Sequence, residues 1–175
     1  MIYFAYFHAV VEYGIVFWWD LVESKRIFQQ QKRIIRIMTG STLSISCRSL
    51  FWKLEILTLT FQYILFLMRF LLSNLEIYTF NTSVHNINTR CKLKLHKPAT
   101  RLTMYQMSVY YNSINIYNKL PDDLAELVSN KKCFLLQQKK YLTGKSFYSV
   151  EEYFECIIDL WQEAQRGLHR SYTDF

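Results

Sequence analysis

The sequence predicts a mainly α protein: a helical bundle with one short extended or β-like segment around residues 78–100. Three observations carry that reading. Punctuation is scarce, with 4 Gly and 2 Pro in 175 residues, too little for the many turns of a β-sandwich. Half of the residues are apolar, and 13 Phe, 13 Tyr and 4 Trp contribute heavily, so the chain can build a core and is not mostly disordered. Apolar positions also recur three and four residues apart through most of the chain, which is the spacing of one helix face.

Taken in order, Tyr3 to Trp19 forms the first helix, with Phe4, Phe7, Val11, Ile15 and Trp18 on one side and His8 and Glu12 as a polar stripe. This run has no basic segment before it and no small-residue cleavage site, so no signal peptide is expected and the protein is placed inside the cell, in nucleus or cytoplasm. The next helix, Ser24 to Gly40, is the most informative stretch. At 100° per residue, Lys25, Arg26, Lys32, Arg33 and Arg36 fall within roughly a third of its circumference. Ile27, Phe28, Ile34, Ile35 and Met38 lie opposite. Ser24 is the expected N-cap and Gly40 the left-handed C-terminal residue. No acid interrupts Lys25 to Arg36. Two readings fit such a face: a solvated surface, or a docked helix that offers its cations to a phosphate backbone.

A Ser/Thr-rich turn leads to a short helix, Arg48 to Leu54, with Leu50, Phe51 and Leu54 on one side. Thr58 or Thr60 caps the long apolar helix that ends near Ser73 and Asn74. Asn81, Asn86 and Asn88 favour turns, and Arg90 to His96 alternates polar and apolar residues as a strand does. Helix returns from Met104 to Leu120, where Met107, Tyr110, Tyr111, Ile114 and Tyr117 share a face, and Pro121 ends it. Short helices follow over Leu124–Val128 and from Asn130 to Leu142. Ser149 to Glu152 is a capping box for a last helix that stops near Gly167. The organisation is a helical region over 1–74, an extended connector over 75–102, and C-terminal helices with an acidic tail over 103–175.

The net charge of +7 is laid out in blocks. Besides the basic helix there are Arg90, Lys92, Lys94, Lys97 and Arg101, and then Lys131, Lys132, Lys139, Lys140 and Lys145, read as a solvated face. Acids gather late, at Glu151, Glu152, Glu155, Asp159 and Glu163. A basic body suits a polyanion or an anionic membrane surface. Cys47, Cys91, Cys133 and Cys156 are widely spaced and fit reduced thiols. The apolar runs 2–19 and 56–72 are each short for a membrane span, and a small membrane hairpin with its basic loop on the cytoplasmic side stands as the alternative.

No catalytic constellation emerges. The adjacent acids Asp122 and Asp123 look like the paired aspartates of template-directed polymerases, but a helical pattern follows them where a strand should stand, so they are read as acids at a helix N-terminus. His85, Cys91 and His96 lack a fourth ligand and a standard metal spacing. His8 and Glu12 read as a helix pair, and no phosphate loop or nucleophile motif is present.

Several blocks together resemble the C-terminal part of reverse transcriptases of jockey-type insect non-LTR retrotransposons. They are Tyr3-Phe-Ala-Tyr-Phe-His8, Tyr13-Gly14-Ile15 with Trp18, and Gln31-Lys-Arg-Ile-Ile-Arg-Ile-Met38. Leu50-Phe51, Lys53-Leu54, Ile56-Leu57 and Gln62-Tyr63-Ile64 follow. His85-Asn-Ile-Asn-Thr-Arg90, Tyr110-Tyr111, Asn118-Lys119-Leu120-Pro121 and Ser146-Phe-Tyr-Ser-Val-Glu-Glu152 complete the series. Two turns depart from the family pattern. Small residues are replaced at Trp19-Asp20-Leu21, and a Leu-Gly-Ile-Leu-Pro-Leu-Pro-like run reads Leu54-Glu-Ile-Leu-Thr-Leu-Thr60. From Cys156 onward nothing matches.

The resemblance implies the region after the polymerase palm, comparable to the thumb, with the catalytic aspartates and their Mg upstream. The chain is then not an enzyme on its own, carries no cofactor and takes no small molecule. Its implied partners are the backbone of an RNA–DNA or DNA duplex and the absent palm, and its activity is at most non-specific nucleic-acid binding. Lys25, Arg26, Lys32, Arg33 and Arg36 are the expected contacts, with Arg90, Lys92 and Lys94 second. A relic product with no selected role is the further alternative.

Overall fold

A computed structural model describes residues 2–19, 23–84, 94–120, 130–143 and 146–156. These are mainly helical, as the periodicity predicts. Tyr3–His8 wind as a π-helix that continues into α1, Ala9–Trp18. Helix α2 spans Glu23–Thr39, α3 Cys47–Lys53 and α4 Leu59–Ser73. One-turn helices α5, Asn81–Val84, and α6, Thr103–Gln106, precede α7, Val109–Tyr117. A helix over Lys131–Thr143 and a helical turn over 150–156 complete the described fold.

Helix α4 is the hub. Ile64, Leu67, Met68 and Leu71 are fully buried, and α1, α7 and the 131–143 helix pack around it. The main core runs from Val11 and Ile15 through α4 to Ile114, Phe134, Phe147 and Tyr153. A smaller one joins α2 and α3 through Tyr3, Ile35, Cys47, Leu50, Phe51 and Ile56, and Phe7 and Phe28 touch both. Among the described residues no helix is long and apolar enough to cross a membrane.

Gln31 explains how α2 is held. Its side chain is fully buried in the middle of the helix. Nε2 donates to the Tyr3 hydroxyl at 2.8 Å and to the Leu57 carbonyl at 2.9 Å, and Oε1 accepts from the Leu59 amide at 2.9 Å. Leu59 opens α4, so Gln31 satisfies one of the amides that every helix N-terminus leaves without an internal partner. The expected cap, Thr58, does not do so. Its hydroxyl donates to the Phe147 carbonyl at 2.9 Å, and Thr60 donates to the Tyr148 carbonyl at 3.0 Å, tying the 146–156 segment to the start of α4.

Several boundaries differ from the sequence reading. Helix α2 begins at Glu23, so Ser24 lies inside it rather than capping it. Its other end is as predicted. Gly40 has φ +62°, with Gly40 N–H to the Ile37 carbonyl and Ser41 N–H to the Arg36 carbonyl, the paired bonds of a Schellman ending. The expected Met104–Leu120 helix is split, because Ser108 is extended and its hydroxyl accepts from the Tyr111 amide, starting a new helix. Met107 consequently points outward. Asn81 opens a helical turn where a simple turn was expected. The extended segment survives as an antiparallel bridge between Phe80 and Leu95, and Asn118 clasps both the amide and the carbonyl of Leu95 at 2.8 and 2.9 Å. Residues 85–93, with the rest of the strand pattern, lie outside the described residues, as do 121–129, where a short helix is expected, and the end of the acidic tail.

Glu55 is the one described non-glycine residue with positive φ, at 53°. Glu55 N–H reaches the Trp52 carbonyl and Ile56 N–H the Phe51 carbonyl, so α3 ends in a second Schellman-type turn with a glutamate where the backbone favours glycine. Glu55→Gly should therefore raise stability by about 1 kcal/mol, read as a higher urea midpoint with an unchanged slope. Gln31→Leu should lower it by about 2 kcal/mol. The Leu57 carbonyl keeps its bond from Gln62 Nε2, but the Leu59 amide loses its acceptor. An unchanged midpoint in Gln31→Leu would show that the amide clamp is not needed.

Candidate nucleic-acid interface

Because Gln31 and Ile35 point inward, the opposite side of α2 must face out. Lys25, Arg26 and Arg33 are exposed along it, while Lys32 and Arg36 are half-buried on the edge towards α3. Among the described residues no carboxylate pairs with any of the five. Glu23 stands in the first turn, where an acid is favourable. The described acids of the late cluster are not drawn onto α2: Glu151 and Glu155 are exposed, and Glu152 pairs with Arg48.

The edge of α2 has aromatic support that the sequence gives no hint of. Lys32 Nζ lies 4.2 Å from the Phe28 ring centre and 4.1 Å from that of Tyr148, and the Arg48 guanidinium lies 4.4 Å from the same tyrosine ring. Phe28 meets Tyr148 edge-on at 5.0 Å. The segment that brings Tyr148 here is held by Thr58 and Thr60, by Ser146 donating to the Arg48 carbonyl at 3.1 Å, and by the capping box, in which the Ser149 hydroxyl accepts from the Glu152 amide. Arg48 and Tyr148 are separated by a hundred positions, so no spacing rule could have joined them.

The second group of expected contacts is only partly visible. Arg90 and Lys92 lie outside the described residues. Lys94 is half-buried beside the Phe80–Leu95 bridge, with its carbonyl bonded to the Asn81 amide, so it belongs to an element separate from α2. Of the three residues weighed for metal binding, His85 and Cys91 are likewise outside, as are all five aspartates. Among the described residues no three His, Cys, Asp or Glu side chains gather where they could hold a metal ion. His8 and Glu12 form the expected pair at 3.6 Å, and Glu12 also takes Arg69 at 3.0 Å.

Comparison of the chain with protein-family models, with curated proteins and with solved structures finds no match.

Burial alone would raise the Glu152 carboxyl, but the Arg48 guanidinium and the Tyr148 and Ser149 amides together hold it below the ordinary glutamate value. Its contribution is therefore present above about pH 4.3 and is lost as pH falls through the lowered value. The Tyr148 amide, which donates to Glu152 at 2.7 Å, should report this in an NMR titration with a midpoint below 4.3. In Arg48→Gln the midpoint should move up. A midpoint that ignores the substitution would break the link.

Proposed function

We propose that this chain is the thumb-like region that follows the palm of a jockey-type non-LTR retrotransposon reverse transcriptase, and that it grips a nucleic-acid duplex without doing chemistry on it. The observation that carries the reading is the outward face of α2, where Lys25, Arg26 and Arg33 stand exposed with no carboxylate paired to them among the described residues. Such a face contacts phosphates by charge and shape, and reads no base edges. On this reading the aspartates and Mg of the polymerase belong to sequence outside the chain, and the protein acts where nucleic acid is found, in nucleus or cytoplasm.

Two further features support the resemblance. Glu55, with its left-handed backbone, stands where the family pattern has glycine, so the chain keeps the turn although it has lost the residue. The π-helix with α1 also leaves a continuous stripe uncovered, Ile2, Tyr6, Val10, Tyr13 and Phe17, each 73 to 86% exposed. A patch of that kind marks a surface meant for a partner, as expected if the palm packs there. The membrane-hairpin alternative is disfavoured by α4, most of whose apolar side chains are already covered by protein.

Fluorescence anisotropy with a labelled RNA–DNA hybrid tests the proposal. The full chain should bind with an affinity that falls steeply with salt. Replacing Lys25, Arg26 and Arg33 together with glutamine should flatten that dependence by about 2–3 in log–log slope, at roughly 0.7–0.9 per lost phosphate contact. No hybrid binding at low salt, or an unchanged slope, sinks it.

A further inference from the structure

The crest of α2 and its edge are built differently. Lys25, Arg26 and Arg33 project into solvent. Lys32 and Arg48 instead lie against the Tyr148 ring, with Arg36 one helical turn on from Lys32, in a corner made by α2, α3 and the 146–156 segment. Lys32 leans on two rings, and an aromatic face attracts a cation without occupying its N–H donors. Arg36 Nε is buried and has no acceptor among the described residues, and its Nη2 reaches only the Ile45 carbonyl, at 3.5 Å. Among the described residues Glu152 is the single carboxylate in contact with the corner, and Arg48 and the Tyr148 amide already engage it. Three cations thus face one acid. Burial pushes the Lys32 ammonium below its ordinary value, and although Cys47 opposes this, Arg36 and Arg48 add to the push.

Like charges crowded at a half-buried edge repel unless an anion joins them. The anion that fits is tetrahedral with several charged oxygens: two guanidinium forks and one ammonium arriving from two helices can each take an oxygen, whereas a carboxylate is satisfied by a single fork. We infer that Lys32, Arg36 and Arg48 form a seat for one phosphate group, with Tyr148 as its floor. For the source of that phosphate, one backbone position of the bound duplex, the inference rests on the function proposed above. The seat adds Arg48 and Tyr148, neither of which the sequence marks as a nucleic-acid contact, and it assigns α2 two roles: a crest that attracts the duplex and an edge that fixes one phosphate.

The test uses the full chain in two titrations. Inorganic phosphate, added against chloride at constant ionic strength, should shift the Arg36 and Arg48 Nε–H resonances saturably, and Lys32→Gln and Arg36→Gln should abolish the saturation. In hybrid binding each of these variants should lose about tenfold in affinity, the size of one charge-assisted hydrogen bond. Arg48→Lys, which keeps the charge opposite Glu152, should lose less than Arg48→Gln. If phosphate shifts nothing and the Lys32 and Arg36 variants bind hybrid as the parent does, the seat is overturned, and a loss on removing Lys25, Arg26 and Arg33 would still uphold the duplex-binding reading. If phosphate saturates the corner while hybrid fails to bind, the seat stands and that reading falls.

Discussion

One buried amide sets the orientation of everything on the basic side of this molecule. Gln31 sits where an apolar residue would ordinarily fill a helix interface, and it connects three elements at once: the Tyr3 hydroxyl before α1, the Leu57 carbonyl, and the first amide of α4. A buried amide of this kind is costly unless nearly every donor and acceptor is matched. Matching them fixes the rotation of α2 about its own axis. Apolar contacts alone, through Phe28, Ile34 and Ile35, would tolerate sliding or turning by some degrees. The hydrogen bonds do not, and so the cations keep their outward direction.

A second constraint follows from the first. Because Gln31 serves the start of α4, the threonines there are released for other work, and Thr58 and Thr60 hold the carbonyls of Phe147 and Tyr148. Phe147 then packs edge-on against Phe61 at 5.2 Å, while Tyr148 turns the other way, towards Lys32 and Arg48. Adjacent residues of one segment therefore serve the main core and the cationic corner. This coupling suggests why a segment so far along the chain matters to a helix near its beginning.

The basic face was legible because it is local. Charges at 25, 26, 32, 33 and 36 sort onto one side of any helix drawn through them, whatever that helix packs against. The same holds for the apolar run of α4, for the Gly40 ending and for the capping box at Ser149. Where local reading failed, a competing local signal had been overlooked or a distant partner took over. Ser108 broke a helix that apolar periodicity alone would have continued. Ser24 looked like a cap because the acid before it was not counted into the helix.

By itself the sequence determined the helical class, the positions of the main helices and the one-sided charge of α2, since each depends on residues three or four apart. Only the tertiary structure decided that Gln31 is buried, that Arg48 joins Lys32 and Arg36, and that Tyr148 lies beneath them. Those pairings run from 12 positions, between Arg36 and Arg48, to 116, between Lys32 and Tyr148. Nothing in a helix-length window encodes them, because they arise only when a whole set of apolar faces has found one way to close around α4.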